Sequence, residues 1–240
     1  MSKLSNSNFV TTFVLPVTYA RLYCFPVART RGSRNAGYEE QRSNLARKVR
    51  VALSQDEGIH ASLRELAEAA DTSVATLRHY FKDREGLLQG VMECQRAEAA
   101  PYLAMSAQAK HGDVRGSLLG FLQGLSTAWF KHGVGKMYAS TLALGLGSTA
   151  VGPSYVNHVL EPLLQTGESL LRQHLERDEV VVEDVRQASL MLISPVVFAL
   201  LHQDSLLGAQ CRPLDLPQYL VTHVDAFLRA FPARGKSKRS

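Results

Sequence analysis

Two short helical segments joined by a tight turn, within residues 62–81, constrain the fold more than any other feature of this chain. Ser62 and Glu65 have the spacing of a capping box, in which a hydroxyl and a carboxylate satisfy two backbone N–H groups at the start of a helix. Two residues of turn follow that helix, and a second short helix begins at Ser73. Apolar residues at helical spacing within 45–53 predict a supporting helix before them. The arrangement predicts a helix-turn-helix unit.

The exposed face of the second short helix is small at its start and basic further along. With Leu77 and Phe81 turned towards the core, this face carries small side chains first and then Arg78. An arginine can donate two parallel hydrogen bonds to guanine, and a small helix start allows close approach to base edges. Spacing and charge alone leave two interpretations open: a face that reads DNA, or the solvated face of an ordinary helical hairpin.

The composition excludes several classes of protein. The 240 residues include 27 basic and 22 acidic side chains, and 45% are hydrophobic, which excludes collagen-like, disulfide-scaffold and wholly disordered chains. Cys24, Cys94 and Cys211 form no CxxC pair and no metal-like spacing with histidine. We therefore expect reduced thiols in the cytoplasm, no metal site and no cofactor.

Helical periodicity continues to the C-terminal region and predicts an all-α protein with two domains. We assign residues 41–88 to an N-terminal three-helix domain and residues 89–231 to a larger helical domain. Residues 1–40 are expected to be a flexible extension, either a functional arm or residues added by an upstream start codon, and residues 232–240 a disordered basic tail. The helices predicted after the helix-turn-helix are 84–108, 114–132, 136–146, 154–177, 182–207 and 216–231.

Three uncharged stretches are candidates for membrane spans, and none is convincing. Residues 4–20 and 137–160 are interrupted by polar residues, Gly or Pro. Residues 187–203 are the most apolar, but they are short for a span and contain Pro195, so a buried helix of a soluble protein is predicted. Residues 9–20 have the outline of an export signal, but Thr and Pro interrupt the apolar core that such a signal needs.

Residues 70–88, ADTSVATLRHYFKDREGLL, resemble the recognition-helix signature of TetR-type (TetR/AcrR) transcriptional regulators. In that signature Ser, a small residue and Thr-Leu precede aromatic or basic positions, and Lys/Arg-Glu-x-Leu-Leu follows. The resemblance is close over about residues 44–91, and the rest of the chain matches in helical character and length. Asp71 stands where the family usually has a turn Gly, and can still adopt the left-handed conformation. Arg78 stands where an aromatic residue is common.

The resemblance implies which residues contact DNA. The first short helix would contact phosphates, the second would face the major groove, and its last residues would hold flanking phosphates. The basic residues upstream, between positions 29 and 50, are either an arm for the minor groove or a solvated linker. The implied DNA-binding residues are Ser62, Arg64, Ser73, Val74, Ala75, Thr76, Arg78, His79, Tyr80, Lys82 and Arg84.

The resemblance also implies a homodimer and a pocket for a small-molecule effector in the C-terminal domain. In the family the last two helices form a dimeric four-helix bundle. The apolar stripes of the last two helices here could be core, but the resemblance implies that they form this interface, at Leu190, Ile193, Val197, Leu201, Leu220, Val224, Phe227 and Phe231. Aromatic walls with a few polar groups are typical of ligand sites, and they are also typical of ordinary cores, which is the better interpretation for any single residue. The candidate pocket residues are Met92, Phe121, Trp129, Tyr138, Tyr155 and His158.

An enzymatic function is not expected. Residues 145–150 match the letters of a dinucleotide fingerprint, but a helix and not a strand is predicted before them. No other catalytic motif is found. We therefore expect a cytoplasmic, ligand-responsive repressor that binds an operator as a homodimer and is released by a small molecule. The alternative is a helical interaction or ligand-carrier protein that does not read DNA sequence.

Overall fold

The computed structural model describes residues 36–55 and 58–232, which are almost entirely helical and contain no strand. The predicted all-α fold class is confirmed. Most of the predicted N-terminal extension, with Cys24, and the tail from residue 233 lie outside the described residues. The first helix begins at Ala36, so residues 36–40, assigned to the extension from the sequence, are helical.

The helices after the helix-turn-helix begin and end within three residues of their predicted bounds. Two longer helical segments each contain one turn of π-helix, at Val156–Leu160 and at Leu201–Ser205. The α-helices of the described residues are α1 (Ala36–Leu53), α2 (Leu63–Ala69), α3 (Val74–Phe81), α4 (Arg84–Ser106), α5 (Val114–Lys131), α6 (Val134–Gly147), α7 (Gly152–Tyr155), α8 (Glu161–Glu176), α9 (Val185–Leu200) and α10 (Leu216–Ala230).

Local side-chain chemistry sets the ends of α2 and α3. The Ser62 hydroxyl accepts the Glu65 N–H at 3.3 Å, and the Glu65 carboxylate accepts the Ser62 N–H at 2.7 Å, which confirms the predicted capping box. Asp71 has φ 53°, the left-handed conformation that the turn requires. The Ser73 hydroxyl accepts the Thr76 N–H at 3.0 Å and starts α3. The predicted helix-turn-helix unit therefore forms.

Helix α4 connects the N-terminal half of the described residues, which contains α1 to α3, with the C-terminal half, which contains α5 to α10. The Asp83 carboxylate caps its start by accepting the Gly86 N–H at 2.8 Å, and the helix continues through Pro101 to Ser106. It packs against α1 and α3 of the N-terminal part and against α7 and α8 of the C-terminal part. The predicted boundary between residues 88 and 89 lies inside this helix, where the backbone is unbroken.

The C-terminal half is a bundle in which α8 and α9 form the largest contact. A Cβ on Gly167 would lie 2.7 Å from Ile193 Cδ1 and from Ser189 Oγ, so a larger residue there would require these side chains to move where α9 crosses α8. The Ser189 hydroxyl donates to the Leu164 carbonyl at 2.8 Å across the same contact. One continuous apolar core runs from α1 to α10, including Leu45 and Phe227.

The most apolar helical segment is Val185–Ser205, with a mean hydropathy of 1.5 over its most apolar window. By length and composition it could cross a membrane, and it is the one such segment within the described residues. A core helix of a soluble protein meets the same criteria. This segment packs against α8 and α10, so it is not by itself an indication of a membrane protein.

The glycine-containing stretch 145–150 forms the end of α6 and the turn after it. A dinucleotide fingerprint needs a strand before its glycines and a helix that starts at them. Here a helix ends at Gly147, so the backbone is the reverse of that arrangement.

Candidate nucleic-acid interface

Helix α3 presents a face that is open to solvent and free of acidic residues. Ala75, Arg78, His79 and Lys82 are exposed along it or at its end. The guanidinium of Arg78 and the ammonium of Lys82 form no hydrogen bond or ion pair with any residue in the described part of the chain. Both cations are therefore available to another molecule.

The start of α3 is held by the turn before it. Thr76 is half-buried, and its hydroxyl lies 2.9 Å from the Ser73 hydroxyl. Val74 is also half-buried and packs on the core. Among the predicted base-facing residues, Ala75 and Arg78 are therefore more open than Val74 and Thr76.

The C-terminal end of α3 is fixed against α1 by three aromatic rings. Tyr80 lies 4.7 Å from Tyr38 and 5.0 Å from His79, measured between ring centroids. Aromatic pairs have preferred ring geometries and contribute about 0.5–1.5 kcal/mol beyond their buried area. The predicted phosphate contacts His79 and Tyr80 thus also help to orient α3.

Arg84 points into the protein, although the sequence predicted a phosphate contact. Its Nε donates to the Ala61 carbonyl at 2.9 Å, and its Nη2 donates to the Ile59 carbonyl at 2.7 Å. It therefore joins the start of α4 to the segment just before α2. Arg64, another predicted phosphate contact, pairs on the surface with Glu68 at 3.1 Å.

The arginines of α1 bind carboxylates of α4. Arg42 contacts Glu93 at 2.7 Å, and both Arg47 and Arg50 contact Glu98. Burial would raise the pKa of Glu98, but hydrogen bonds from Arg50 and Arg47 outweigh it and lower this pKa. These arginines stabilise the α1–α4 contact and are not free for a minor groove. The sequence pattern of α1 alone gave no sign of these partners, which lie about fifty positions away.

The start of α4 lies beside a cavity of about 220 Å³. Leu88 of α4 and Leu144 of α6 line it, together with Ser148. The Ser148 hydroxyl donates to the Glu85 carboxylate at 3.2 Å, and Gln89 Nε2 donates to the Ala150 carbonyl at 3.0 Å. The start of α4 is therefore tied to the turn between α6 and α7.

Three of the candidate pocket residues form a row of rings. The ring centroid of Tyr138 lies 5.2 Å from that of Trp129 and 5.9 Å from that of Tyr155. The indole N–H of Trp129 donates to Asp204, in the second π-helical turn, at 2.9 Å. We call Trp129, Tyr138 and Tyr155 the aromatic row. Met92 and Phe121 are buried in the same core, and His158 is half-buried beside α4.

The apolar stripe from which a dimer interface was predicted faces largely towards the core of the protomer itself. Ile193, Val197, Leu220, Val224 and Phe227 are at most 8% exposed, and Leu201 and Phe231 are half-buried. Of the eight predicted residues, Leu190 is exposed.

A second apolar face of α9 points to solvent and was missed from the sequence. Met191 and Phe198 are 52% and 69% exposed, and Leu190 and Pro195 lie beside them. We call these four residues the outer α9 face. The sequence does contain the pattern that predicts this face, a second set of apolar residues at helical spacing. A helix with apolar residues on two faces must bury both of them, so one face is left for a contact outside the protomer core.

The comparisons with known proteins agree with this geometry. Residues 51–91 match the profile of the N-terminal domain described as "Bacterial regulatory proteins, tetR family". No curated protein sequence matches the chain.

Among solved structures, a protein from Mesorhizobium loti assigned to the TetR family of transcriptional regulators is 16% identical. It has a TM-score of 0.64, and the match covers 81% of this chain and 98% of that one. SmeT of Stenotrophomonas maltophilia, the repressor of the multidrug efflux pump SmeDEF, is 16% identical with a TM-score of 0.55 over 81% and 91%. FadR of Bacillus subtilis, solved with stearoyl-CoA, is 15% identical with a TM-score of 0.61 over 77% and 96%.

The fold and the helix-turn-helix unit support a role in DNA-binding transcription regulation. The chain carries the N-terminal domain of the TetR family on the fold of TetR-type regulators. The resemblance predicted from residues 70–88 is confirmed.

Proposed function

We propose that this protein is a sequence-specific transcriptional repressor that reads its operator through α3. The observation that carries the proposal is the exposed, acid-free face of α3, on which Arg78 and Lys82 have no partner in the described structure. A bidentate arginine distinguishes guanine from the other bases in the major groove, and a lysine at the helix end suits a phosphate. Repression requires only that the operator be occupied.

The proposed docking uses the predicted contacts unequally. Ala75 and Arg78 would approach base edges, with Val74 and Thr76 beside them. Ser62, Ser73, Arg64, His79, Tyr80 and Lys82 would set the register on phosphates. Arg84 would position α2 and not contact DNA directly, because both nitrogens that it uses are bonded to carbonyl groups.

We propose that the regulator is a homodimer whose interface includes the outer α9 face. A single recognition helix reads only a few base pairs, and a two-fold dimer reads two half-sites about one helical turn apart. Exposed apolar patches of this kind mark contact surfaces, and a two-fold axis lets one patch cover its own copy. The partner we assign to this face is therefore a second copy of the chain.

A small-molecule effector in the C-terminal half would release the operator. The contacts that support this proposal run along α4, which joins the two halves without a break. Glu85 and Gln89 tie its start to the turn before α7, and Arg84 ties it to the segment before α2. An effector that favours a different position of α7 would therefore move the helix-turn-helix unit. Such coupling requires that the effector bind the two states with different affinity.

The remaining parts of the proposal follow from this role. The protein acts in the cytoplasm, where the DNA is, it needs no cofactor, and it catalyses no reaction. The repressor SmeT and the stearoyl-CoA complex of FadR support repression and effector binding by analogy of fold.

Footprinting on the DNA that flanks its own gene tests the proposal. A dimer should protect two half-sites related by two-fold symmetry, with centres about one helical turn apart or a multiple of it. Protection of one half-site would contradict the dimer but not the DNA reader. Uniform weak protection of all DNA would favour the alternative of a helical interaction or carrier protein.

A further inference from the structure

The last residue of α3, Phe81, is enclosed between α1 and α4. Its ring lies against Gly90 of α4, where a Cβ would lie 2.6 Å from Phe81 Cε1 and 3.2 Å from Arg42 Nη2. The guanidinium carbon of Arg42, on α1, lies 5.2 Å from the centroid of the same ring. Phe81 is 4% exposed. Residues of three helices therefore meet at one aromatic side chain.

The cation beside this ring is held by a carboxylate of α4. Arg42 Nη2 donates to Glu93 Oε2 at 2.7 Å, and Glu93 lies one helical turn after Gly90. His158 also lies near Glu93, but burial and the charge of Arg96 lower the pKa of its imidazole, which is therefore neutral at pH 7. Arg42 is thus the charged partner that Glu93 holds.

The Arg42–Glu93 pair contributes little to the stability of the fold by itself. The two side chains are 23% and 43% exposed, and ion pairs at such exposure are weakened by water. The same two helices are also joined by Glu98, which contacts both Arg47 and Arg50. What distinguishes the Arg42–Glu93 pair is that Arg42 also contacts a residue of α3.

The position of Phe81 affects the direction of the whole of α3. This helix has eight residues, and Leu77 and Phe81 are its buried side chains, so few contacts fix its direction. Arg78 lies one turn before Phe81, and a movement of the ring would move Arg78 with it. Binding residues must be held within about 0.5 Å of their productive position, so a small movement is enough to weaken a contact with a base.

We propose that Arg42 and Glu93 are positioning residues for the operator contact of α3. Glu93 holds the Arg42 guanidinium beside the Phe81 ring. The ring then stays against Gly90, and Arg78 keeps the direction in which it meets the major groove. The proposal rests on the proposed function, since α3 is the element that we assign to the operator.

Anisotropy titration of Glu93→Ala with operator DNA and with scrambled DNA tests this role. Removing an acidic residue from a DNA-binding protein should, by charge alone, strengthen binding to any DNA. The positioning role predicts the opposite for the operator, an affinity about fivefold lower, with no loss on scrambled DNA. A fivefold loss corresponds to about 1 kcal/mol, the size expected for a partly exposed ion pair with a cation–π contact.

The matched control is Glu98→Ala. It removes the same charge from the same helix, but the contacts of Glu98 are with Arg47, Arg50 and Cys94 and not with α3. This variant should lower the melting temperature at least as much as Glu93→Ala does, and should leave operator affinity unchanged or higher. Wild-type operator affinity in Glu93→Ala, or an equal loss in Glu98→Ala, overturns the proposal.

A second variant moves the same ring without a change of charge. In Gly90→Ala the new Cβ requires the Phe81 ring to move, so operator affinity should fall about fivefold or more. The control Gly120→Ala, on α5, places a Cβ that meets no atom within 4 Å and should leave operator affinity unchanged. Unchanged operator affinity in Gly90→Ala would contradict the proposed role of Phe81.

Hydrogen exchange of the free protein separates failure of this proposal from failure of the proposed function. Backbone amides of residues 74–82 should exchange faster in Glu93→Ala than in the wild type, and at the wild-type rate in Glu98→Ala. If exchange changes in this way but the wild type shows no preference for any DNA sequence, the positioning of α3 stands and the proposed function fails. If the wild type prefers its operator but Glu93→Ala changes neither exchange nor affinity, the proposed function stands and the positioning role is refuted.

Discussion

Phe198→Ser should dissociate the proposed dimer without unfolding the protomer. Phe198 is 69% exposed in the protomer, so its removal leaves no cavity in the core. A phenylalanine buries about 150–250 Å² when fully covered, so about 100–170 Å² remains to be covered by a partner. If a second copy covers half of this area, at about 25 cal/mol per Å² each side chain contributes about 1–2 kcal/mol.

Two copies of Phe198 in a symmetric dimer then contribute about 2–4 kcal/mol, which corresponds to an increase of roughly thirty- to several-hundredfold in the dissociation constant. Sedimentation velocity over a dilution series measures this constant. The control Leu146→Ser removes a side chain that is 80% exposed at the end of α6 and should leave the constant unchanged. A Phe198→Ser protein that sediments as the wild type does at every concentration would refute the assignment of the outer α9 face.

Three further predictions follow from contacts in the structure. Arg78→Ala should lose about 1–3 kcal/mol of operator binding at one base position in an anisotropy assay, whereas Arg212→Ala, which removes the same charge on the turn before α10, should not. The pKa of Glu98 is lowered in the folded protein, so its ion pairs contribute their full stability above the ordinary pKa of 4.5. This stability is lost as the pH falls through the pKa that Glu98 has in the folded protein. Glu98→Gln should therefore remove this part of the pH dependence of the free energy of unfolding, measured with urea. Gly135→Ala should cost about 1–3 kcal/mol in thermal unfolding, because a Cβ would overlap the only tryptophan, while Gly124→Ala, which meets no atom within 4 Å, should be neutral or stabilising.

The parts of the fold that local chemistry determines could be predicted from the sequence. The capping box at Ser62, the left-handed turn at Asp71 and the cap at Ser73 each depend on residues within three or four positions. The helix bounds followed from apolar periodicity and from Gly or Asp at the ends. The class of fold followed from the same information.

The partners of long polar side chains could not be predicted, because they depend on which helices meet. Arg84 follows the recognition helix directly and has the charge of a phosphate contact, but it binds carbonyl groups before α2. Arg42, Arg47 and Arg50 belonged to a basic segment in the sequence, but the carboxylates of α4 neutralise them. Periodicity says which face a residue lies on and not which charge lies opposite.

The apolar face of α9 that packs on the protomer core could not be identified from the sequence either. Helix α9 has apolar residues on two faces, and periodicity cannot say which face packs on α8. The stripe through Ile193 and Val197 fills the core, and the stripe through Met191 and Phe198 is exposed.

The most direct test of the central proposal is an anisotropy titration of the wild-type protein against DNA flanking its own gene, with scrambled DNA of equal length, at two salt concentrations. A sequence reader should bind the flanking DNA at least about a thousandfold more tightly than the scrambled DNA. A protein that only holds phosphates should bind both DNAs equally, with affinity that falls steeply as salt rises. The first result is the one that the geometry of α3 predicts, and the second would contradict it.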